Sequence, residues 1–227
     1  MIHITDVHRR YHTGETSVHA LRGVSLEIET GEFTAIAGPS GSGKSTLLNI
    51  VGCLDKPDEG TIHIGDADLT SADDEERADF RRRSMGFIFQ SFNLIPVLTA
   101  YENVAFVLSL LDVEEKEVRR RTMSLLKEVG LEGMEDRRPP KLSGGQQQRV
   151  AVARALIKKP NIVLADEPTA NLDSKTGASI LDLMRSLNEK LGTTFLFCTH
   201  DEMVMDYARR LVHLKDGVIS DDERRSA

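Results

Sequence analysis

The sequence predicts an α/β fold built around a mostly parallel sheet, and three observations point to it. Short buried-type runs recur along the 227 residues: FTAIA at 33–37, IVLAD at 162–166 and TTFLFCTH at 193–200. Segments of helical period separate them. Gly and Pro punctuate the changes from one kind to the other. Buried strands alternating with helices are the pattern of a sheet covered on both faces.

Taken in order, VSLEIETGEFTAIAG places Val24, Leu26 and Ile28 on one strand face, a turn at Thr30 and Gly31, and then the buried run 33–37. A turn at 57–60 precedes the short strand TIHIGD at 61–66. Residues 71–83, SADDEERADFRRR, read as an exposed helix with acids early and arginines late, which suits the helix dipole. From 91 to 141 strand runs disappear, and the block reads as a helical insertion ending at Pro139 and Pro140. Within it, 113–129 puts Val118, Leu125 and Val129 on one helical face, with Gly130 as cap. A helix over 144–158 stops before Pro160. After it come IVLAD, a helix over about 175–190, the strand TTFLFCTH, a short helix, and a hairpin in RLVHLKDGVIS.

Composition narrows the function classes. A hydrophobic content of 40% supports one substantial core. A net charge of −7 gives no footprint for nucleic acid or an anionic membrane. The runs Arg81, Arg82, Arg83 and Arg119, Arg120, Arg121 lie beside acidic runs and read as solvated helix faces. Cys53 and Cys198 form neither a disulfide framework nor a metal-ligand spacing. His3, His8, His12 and His19 match no common ligand pattern and read as scattered surface histidines. The N-terminus has no apolar signal region, and the longest apolar stretch, AFVLSLL at 105–111, is far short of a membrane helix. The expectation is a soluble, cytoplasmic chain. Any membrane span must come from another polypeptide.

GPSGSGKS at 38–45 fits G-x-x-x-x-G-K-[ST], follows a buried strand and opens a helical run. The expected nucleotide cradle is Gly38, Pro39, Ser40, Gly41, Ser42, Gly43, Lys44 and Ser45, with Thr46 beside it. The glycines let the backbone wrap phosphates, and the helix N-terminus adds positive potential. Lys44 is expected to reach the β- and γ-phosphates, and the Ser45 hydroxyl to coordinate Mg²⁺. IVLADE at 162–167 ends a buried strand in two carboxylates. Asp166 is placed to hold Mg²⁺ through its water shell, and Glu167 to polarise an attacking water.

LSGGQ at 142–146 is a second glycine turn opening a helix. It lacks a lysine and a metal-binding hydroxyl, so it is half a phosphate clamp, built from Ser143, Gly144 and Gly145. The economical completion is a twofold dimer in which each LSGGQ closes over the nucleotide held by the opposite chain.

With GPSGSGKS, Gln90 in FIFQSFNL, LSGGQQQRV, IVLADEP with ANLD, and His200 in CTHD in that order, the chain resembles the ATP-binding cassette (ABC) ATPases. The resemblance covers nearly the whole chain. It implies a P-loop NTPase (RecA-like) core with an antiparallel β subdomain, in 1–90 and 146–227, and a helical subdomain carrying the signature motif, in 91–145. It also implies ATP and Mg²⁺ as cofactors and a head-to-tail ATP sandwich with Gln146 in the signature loop. By the same resemblance Tyr11 stacks on adenine, Gln90 contacts Mg²⁺ or the lytic water, His200 contacts the γ-phosphate and Asp173 lies across the dimer interface. Ala170 stands where the closest relatives usually have Gly.

Phe92, Leu94, Ile95 and Leu98 form an apolar loop beside Gln90, which suits gripping a permease helix; filling the subdomain's own core is the competing reading. The expected docking groove takes in Gln90 and residues 91–106. LNIVGCLDKPDEG, MGFIFQSFNLIPVLTAYENV and LADEPTANLDSKTG look like the LolD/MacB/FtsE branch. That likeness implies a homodimer on the cytoplasmic face of the membrane, driving an FtsX/MacB-like permease of the lipoprotein-release or macrolide-export type. The alternative is a regulatory ATPase of a cell-division complex that controls wall hydrolases without transport. A soluble cassette protein of translation or DNA repair fits less well, because such chains fuse two cassettes or insert a long coiled coil. No nucleic-acid partner is expected.

Overall fold

The computed structural model describes residues 1–14 and 16–225; Glu15, Ser226 and Ala227 lie outside the described residues. Two compact units divide the chain: Met1–Arg81 with Thr194–Ala227, and Arg82–Thr193.

In the first unit, β1 (Ile2–Thr13), β2 (Thr16–Ile28), β4 (Glu59–Ile64) and β5 (Ala67–Asp68) form an antiparallel sheet in the order β2-β1-β4-β5. Alternation sets its buried face. Ile2, Ile4, Val24, Leu26, Ile28, Ile62 and Ile64 are all buried, with Ile2 opposite both Ile28 and Ile64. The expected face of Val24, Leu26 and Ile28 is therefore the observed one. The expected turn at 57–60 is shorter, because Glu59 and Gly60 already belong to β4. The register of β1 slips after Ile4, and at Gly60 an added Cβ would meet the Asp6 carbonyl oxygen at 2.3 Å. Only glycine lets β4 pass that bulge, and its φ of +90° excludes other residues as well.

The second sheet of this unit runs β10-β9-β3-β8, with β3 (Phe33–Ala37), β8 (Thr194–Thr199), β9 (Arg210–Lys215) and β10 (Val218–Arg224). β3 is parallel to both β8 and β9, and β9–β10 is the expected hairpin. Phe33 packs against Phe195 and Phe197 with ring centroids 5.5 and 4.8 Å apart. Each such ring stabilises the core by roughly 1.5–3 kcal/mol. The buried Arg210 guanidinium donates to Asp222 (2.8 and 2.7 Å), Glu32 (3.0 Å) and the Glu27 carbonyl (2.6 Å). Helices α1 (Lys44–Val51) and α7 (Glu202–Tyr207) start just beyond the carboxyl ends of β3 and β8, where α/β folds place their ligands. Helix α2 (Asp74–Ser84) has the expected acidic first turn of Asp74, Glu75 and Glu76.

In the second unit β6 (Met85–Ile88) pairs in parallel with β7 (Ile162–Asp166). Around them lie α3 (Ala100–Ser109), α4 (Glu115–Glu128), α5 (Gly144–Leu156) and α6 (Ser174–Leu191). No strand falls in 91–141 among the described residues. The core face of α4 is rotated from the expected stripe. Thr122, Leu126 and Val129 are buried, while Val118 and Leu125 are only half-buried. A threonine at a core position gives a period count no signal. Buried Asn103 organises the 91–98 loop. Its side chain accepts from the Ile95 amide (2.8 Å) and donates to the carbonyls of Ile95, Leu98 and Thr99.

Candidate nucleotide site

The phosphate loop leaves β3 at Ala37 and enters α1 at Lys44. Gly38, Gly41 and Gly43 have φ of 156°, 80° and 105°. Left-handed glycines in such a turn rotate successive N–H groups to one side, making an anion-binding nest. The back of the loop is fixed. A Cβ at Gly38 would lie 2.1 Å from the Leu214 carbonyl oxygen, and one at Gly43 would lie 2.5 Å from that of Ala20. A Cβ at Gly41 would meet nothing within 4 Å. The glycines at the two ends thus answer to strands β9 and β2, while Gly41 sits in open space where a ligand can approach.

Lys44 is 8% exposed. Its ammonium donates to the carbonyls of Gly38 (2.7 Å) and Pro39 (3.0 Å), and among the described residues no carboxylate pairs with it. The Ser42 hydroxyl is buried without a hydrogen-bond partner. A buried cation held only by neutral oxygens, beside a nest of amides, is complementary to an anion of phosphate size. The residues therefore fit a nucleotide's phosphates. Ser40 is exposed at the loop surface, and Ser45 and Thr46 stand in the first turn of α1. Below the loop, the Cys198 thiol contacts the Lys44 carbonyl at 3.3 Å. Cys53 is buried and its thiol is pushed up to about 11 by that burial, so both cysteines are core residues.

In the same unit Tyr11 is 36% exposed. Its hydroxyl donates to Asp55 at 2.7 Å, and the Arg9 guanidinium lies 4.8 Å from the ring centre. Arg9 is itself fixed by Asp55 (3.0 and 2.8 Å) and Asp58 (2.6 Å). The Tyr11 ring is thus held in place by Asp55 and Arg9. The sequence singles out Tyr11 but not its supports: Asp55 lies 44 residues from Tyr11, and Asp58 lies 49 residues from Arg9. His200 is exposed at the end of β8, where Asp201 caps α7 by accepting from the Met203 amide at 2.9 Å.

The second unit holds the other named residues. Asp166 closes β7 and Glu167 follows it, both half-buried. Glu167 has φ of +48°. A non-glycine residue in the left-handed region marks a geometry the surroundings impose, and such residues cluster at functional sites. Nothing in IVLADEP signals this turn. Gln148, buried in α5, donates to the Pro168 carbonyl at 2.5 Å and steadies the loop just beyond. Ala170 has no left-handed φ, so alanine fits there without strain.

Gln90 is exposed, and its carbonyl accepts from the Asn171 side chain at 2.8 Å. The structure thereby ties the Gln90 loop to ANLD. Asp173 caps α6, accepting from the Thr176 amide (3.0 Å) and hydroxyl (2.6 Å). Those bonds hold its carboxyl below the usual range. Ser143 caps α5 in a reciprocal box with Gln146: the Gln146 amide donates to the Ser143 hydroxyl (3.3 Å), and the Ser143 amide donates to the Gln146 side chain (2.9 Å). The amides of Gly144 and Gly145 make no hydrogen bond among the described residues. A Cβ at Gly145 would lie 2.5 Å from Thr176 Cγ2, so this helix start admits no side chain.

A glycine nest with a buried, carboxylate-free lysine, set between a parallel strand and a helix, defines the nucleotide-binding face of a P-loop NTPase. Residues 21–170 match the ABC transporter family, and the chain belongs to it. It is 48% identical over 228 residues to an uncharacterised ABC transporter ATP-binding protein, MJ0796, of Methanocaldococcus jannaschii, with 99% of this chain and 97% of that one covered. It is 46% identical to a macrolide export ATP-binding/permease protein, MacB, of Syntrophobacter fumaroxidans. That match covers 96% of this chain but 31% of the longer protein. Among solved structures, a dimeric post-hydrolysis state of the MJ0796 cassette bound to ADP and Pi matches with a TM-score of 0.91 at 47% identity, over 100% of both chains. The fold is thus the ABC ATPase cassette, with its RecA-like core, antiparallel β subdomain and helical subdomain. The chain is the ATP-binding subunit of an ABC transporter and an ATPase.

Proposed function

We propose that two copies of this chain close on ATP and thereby drive a separate membrane permease of the lipoprotein-release or macrolide-export type. The observation that carries this reading is the signature turn. Among the described residues Gly144 and Gly145 present two unbonded amides at a helix start, and the LSGGQ turn itself contains no lysine. A second chain's phosphate loop supplies what is missing. The similar MJ0796 cassette is dimeric, in one structure with ADP and Pi bound, which supports pairing of two copies.

In this reading Lys44 and the loop amides bind and orient the β- and γ-phosphates, and Tyr11 stacks against adenine. Glu167 accepts a proton from the attacking water. His200 positions the γ-phosphate. Ser143, Gly144 and Gly145 of the other copy close the site and exclude water, with Gln146 bracing that turn and Asp173 facing the dimer seam. Ser45, Gln90 and Asp166 offer a hydroxyl, an amide and a carboxylate, hard oxygen donors of the kind Mg²⁺ prefers. Mg²⁺ held there would neutralise charge between the β- and γ-phosphates.

The permease assignment draws on the MacB relatives, in which a cassette like this one is about a third of a chain named for both ATP binding and permease. Among the described residues no helix is long and apolar enough to cross a membrane. Of the four apolar loop residues singled out in the sequence, Ile95 is 37% exposed and Phe92, Leu94 and Leu98 are half-buried; beside them Val97 is 69% exposed and Phe106 on α3 47%. The exposed residues fit a helix-gripping surface better than a private core. The complex would sit on the cytoplasmic face of the membrane. Co-purification from membranes tests it: recovery of a permease with a large extracytoplasmic domain supports the reading, and recovery of a partner that activates wall hydrolases replaces transport with regulation.

A further inference from the structure

We propose that the β9–β10 hairpin carries a second cation site, for a divalent transition metal, formed by His213, Asp221 and Glu223. One ligand atom from each lies within 4.8 Å of the others. Donor atoms about 2.0–2.2 Å from a shared metal lie at most about 4.4 Å apart, so side-chain rotation alone closes the gap. Both carboxylates are exposed and His213 is half-buried, so the imidazole is the fixed ligand and the acids are the adjustable ones.

The strand register builds this cluster. Val218 pairs with Lys215 and Ile219 with Leu214, and then the ladder slips so that Asp221, not Ser220, faces His213. Glu223 stands two residues on, on the same face. Asp222, on the opposite face, is bound to Arg210 and takes no part. The bulge at Ser220 therefore sorts an acidic run into one structural carboxylate and two that converge on a histidine.

The charges around the cluster leave room for a cation. No hydrogen bond reaches the His213 ring among the described residues. Asp221 Oδ1 accepts from the Asp222 amide at 2.9 Å, which leaves its second oxygen available. Arg225 pairs with the cluster only loosely: its Nε is 3.8 Å from Glu223, while its Nη1 bonds the Met205 carbonyl at 3.0 Å and lies 3.5 Å from Asp206. One imidazole with two carboxylates and open positions suits Zn²⁺, Co²⁺, Mn²⁺ or Ni²⁺ rather than an all-oxygen Mg²⁺ site. The same hairpin backs the phosphate loop: the Gly217 amide donates to the Ser42 carbonyl at 3.0 Å. A metal pinning β9 to β10 braces the strand behind the cradle.

The probe is Co²⁺, titrated into the chelator-stripped, nucleotide-free full chain and followed by visible absorption and calorimetry, with Zn²⁺ as competitor. The expected result is one site per chain, displaced by Zn²⁺. His213→Ala should weaken it by at least the roughly 10–100-fold that loss of even an outer-shell partner costs. Glu223→Gln, an exposed isosteric change, should also weaken it, and both variants should keep nucleotide affinity. Equal Co²⁺ affinity in either variant overturns the proposal. So does a loss that follows His8→Ala or His19→Ala, since His8 Nδ1 and His19 Nε2 lie 3.3 Å apart on β1 and β2 and form the competing histidine pair.

Discussion

The Lys44 ammonium donates to the Gly38 carbonyl at 2.7 Å, so the phosphate loop holds its own lysine folded back against it. Those neutral acceptors leave the positive charge uncompensated. Lys44→Ala should lower ATP affinity. A hydrogen bond to a charged group contributes about 1.5–3 kcal/mol, or roughly 10–150-fold in binding. Titration with a fluorescent ATP analogue measures this, and unchanged affinity removes the phosphate-loop assignment.

The second prediction concerns the Tyr11 ring, proposed to stack on adenine. Asp55→Ala removes the partner of the Tyr11 hydroxyl and the two bonds from Arg9 to Asp55, leaving Arg9 on Asp58. With Asp58 still holding Arg9, loss of the single Tyr11 bond should raise the KM for ATP about 2–12-fold while leaving kcat unchanged. Steady-state kinetics decide it: a fall in kcat at constant KM contradicts a purely positioning role.

A third prediction is a pH effect on stability. Asp222 has its carboxyl held below the usual range, first by its hydrogen bonds from Arg210. A native value below the unfolded one means that this stabilisation is present above the ordinary carboxylate range and fades as pH falls through the native value. Asp222→Asn should therefore lower Tm near neutrality, with the gap closing as pH drops below about 3.9. A constant gap across that window would exclude the ionic contribution.

Much of this was legible in the sequence because strands and phosphate loops are local. Residues 33–37 and 162–166 were read with the bounds the structure gives them, since an apolar run between Gly and turn residues has few other readings. Gly38 to Ser45 spelled out its own geometry through its glycines. What was not legible depends on partners far along the chain. The brace of Ala20 and Leu214 against the loop, the Arg9–Asp55 hold on Tyr11 and the left-handed turn at Glu167 all arise from tertiary packing. The α4 core face was misplaced because Thr122 is buried where a period count expects an apolar residue.

The fourth prediction separates capping from closure. Ser143 caps α5, and removing a cap costs about 0.5–2 kcal/mol. Ser143→Arg should thus lower Tm modestly, keep single-chain nucleotide binding and abolish ATP-dependent pairing. Ser143→Asn, which can still cap, should restore the Tm. If Ser143→Arg still pairs, the signature turn is only a helix start.

The most direct test of the whole account is sedimentation of Glu167→Gln saturated with ATP and Mg²⁺. A general base contributes on the order of 10²–10⁴ in rate, so this variant should bind ATP, turn it over slowly and sediment as a dimer. A strictly monomeric species under those conditions would contradict the claim that one copy's lysine loop and another's signature turn share a nucleotide.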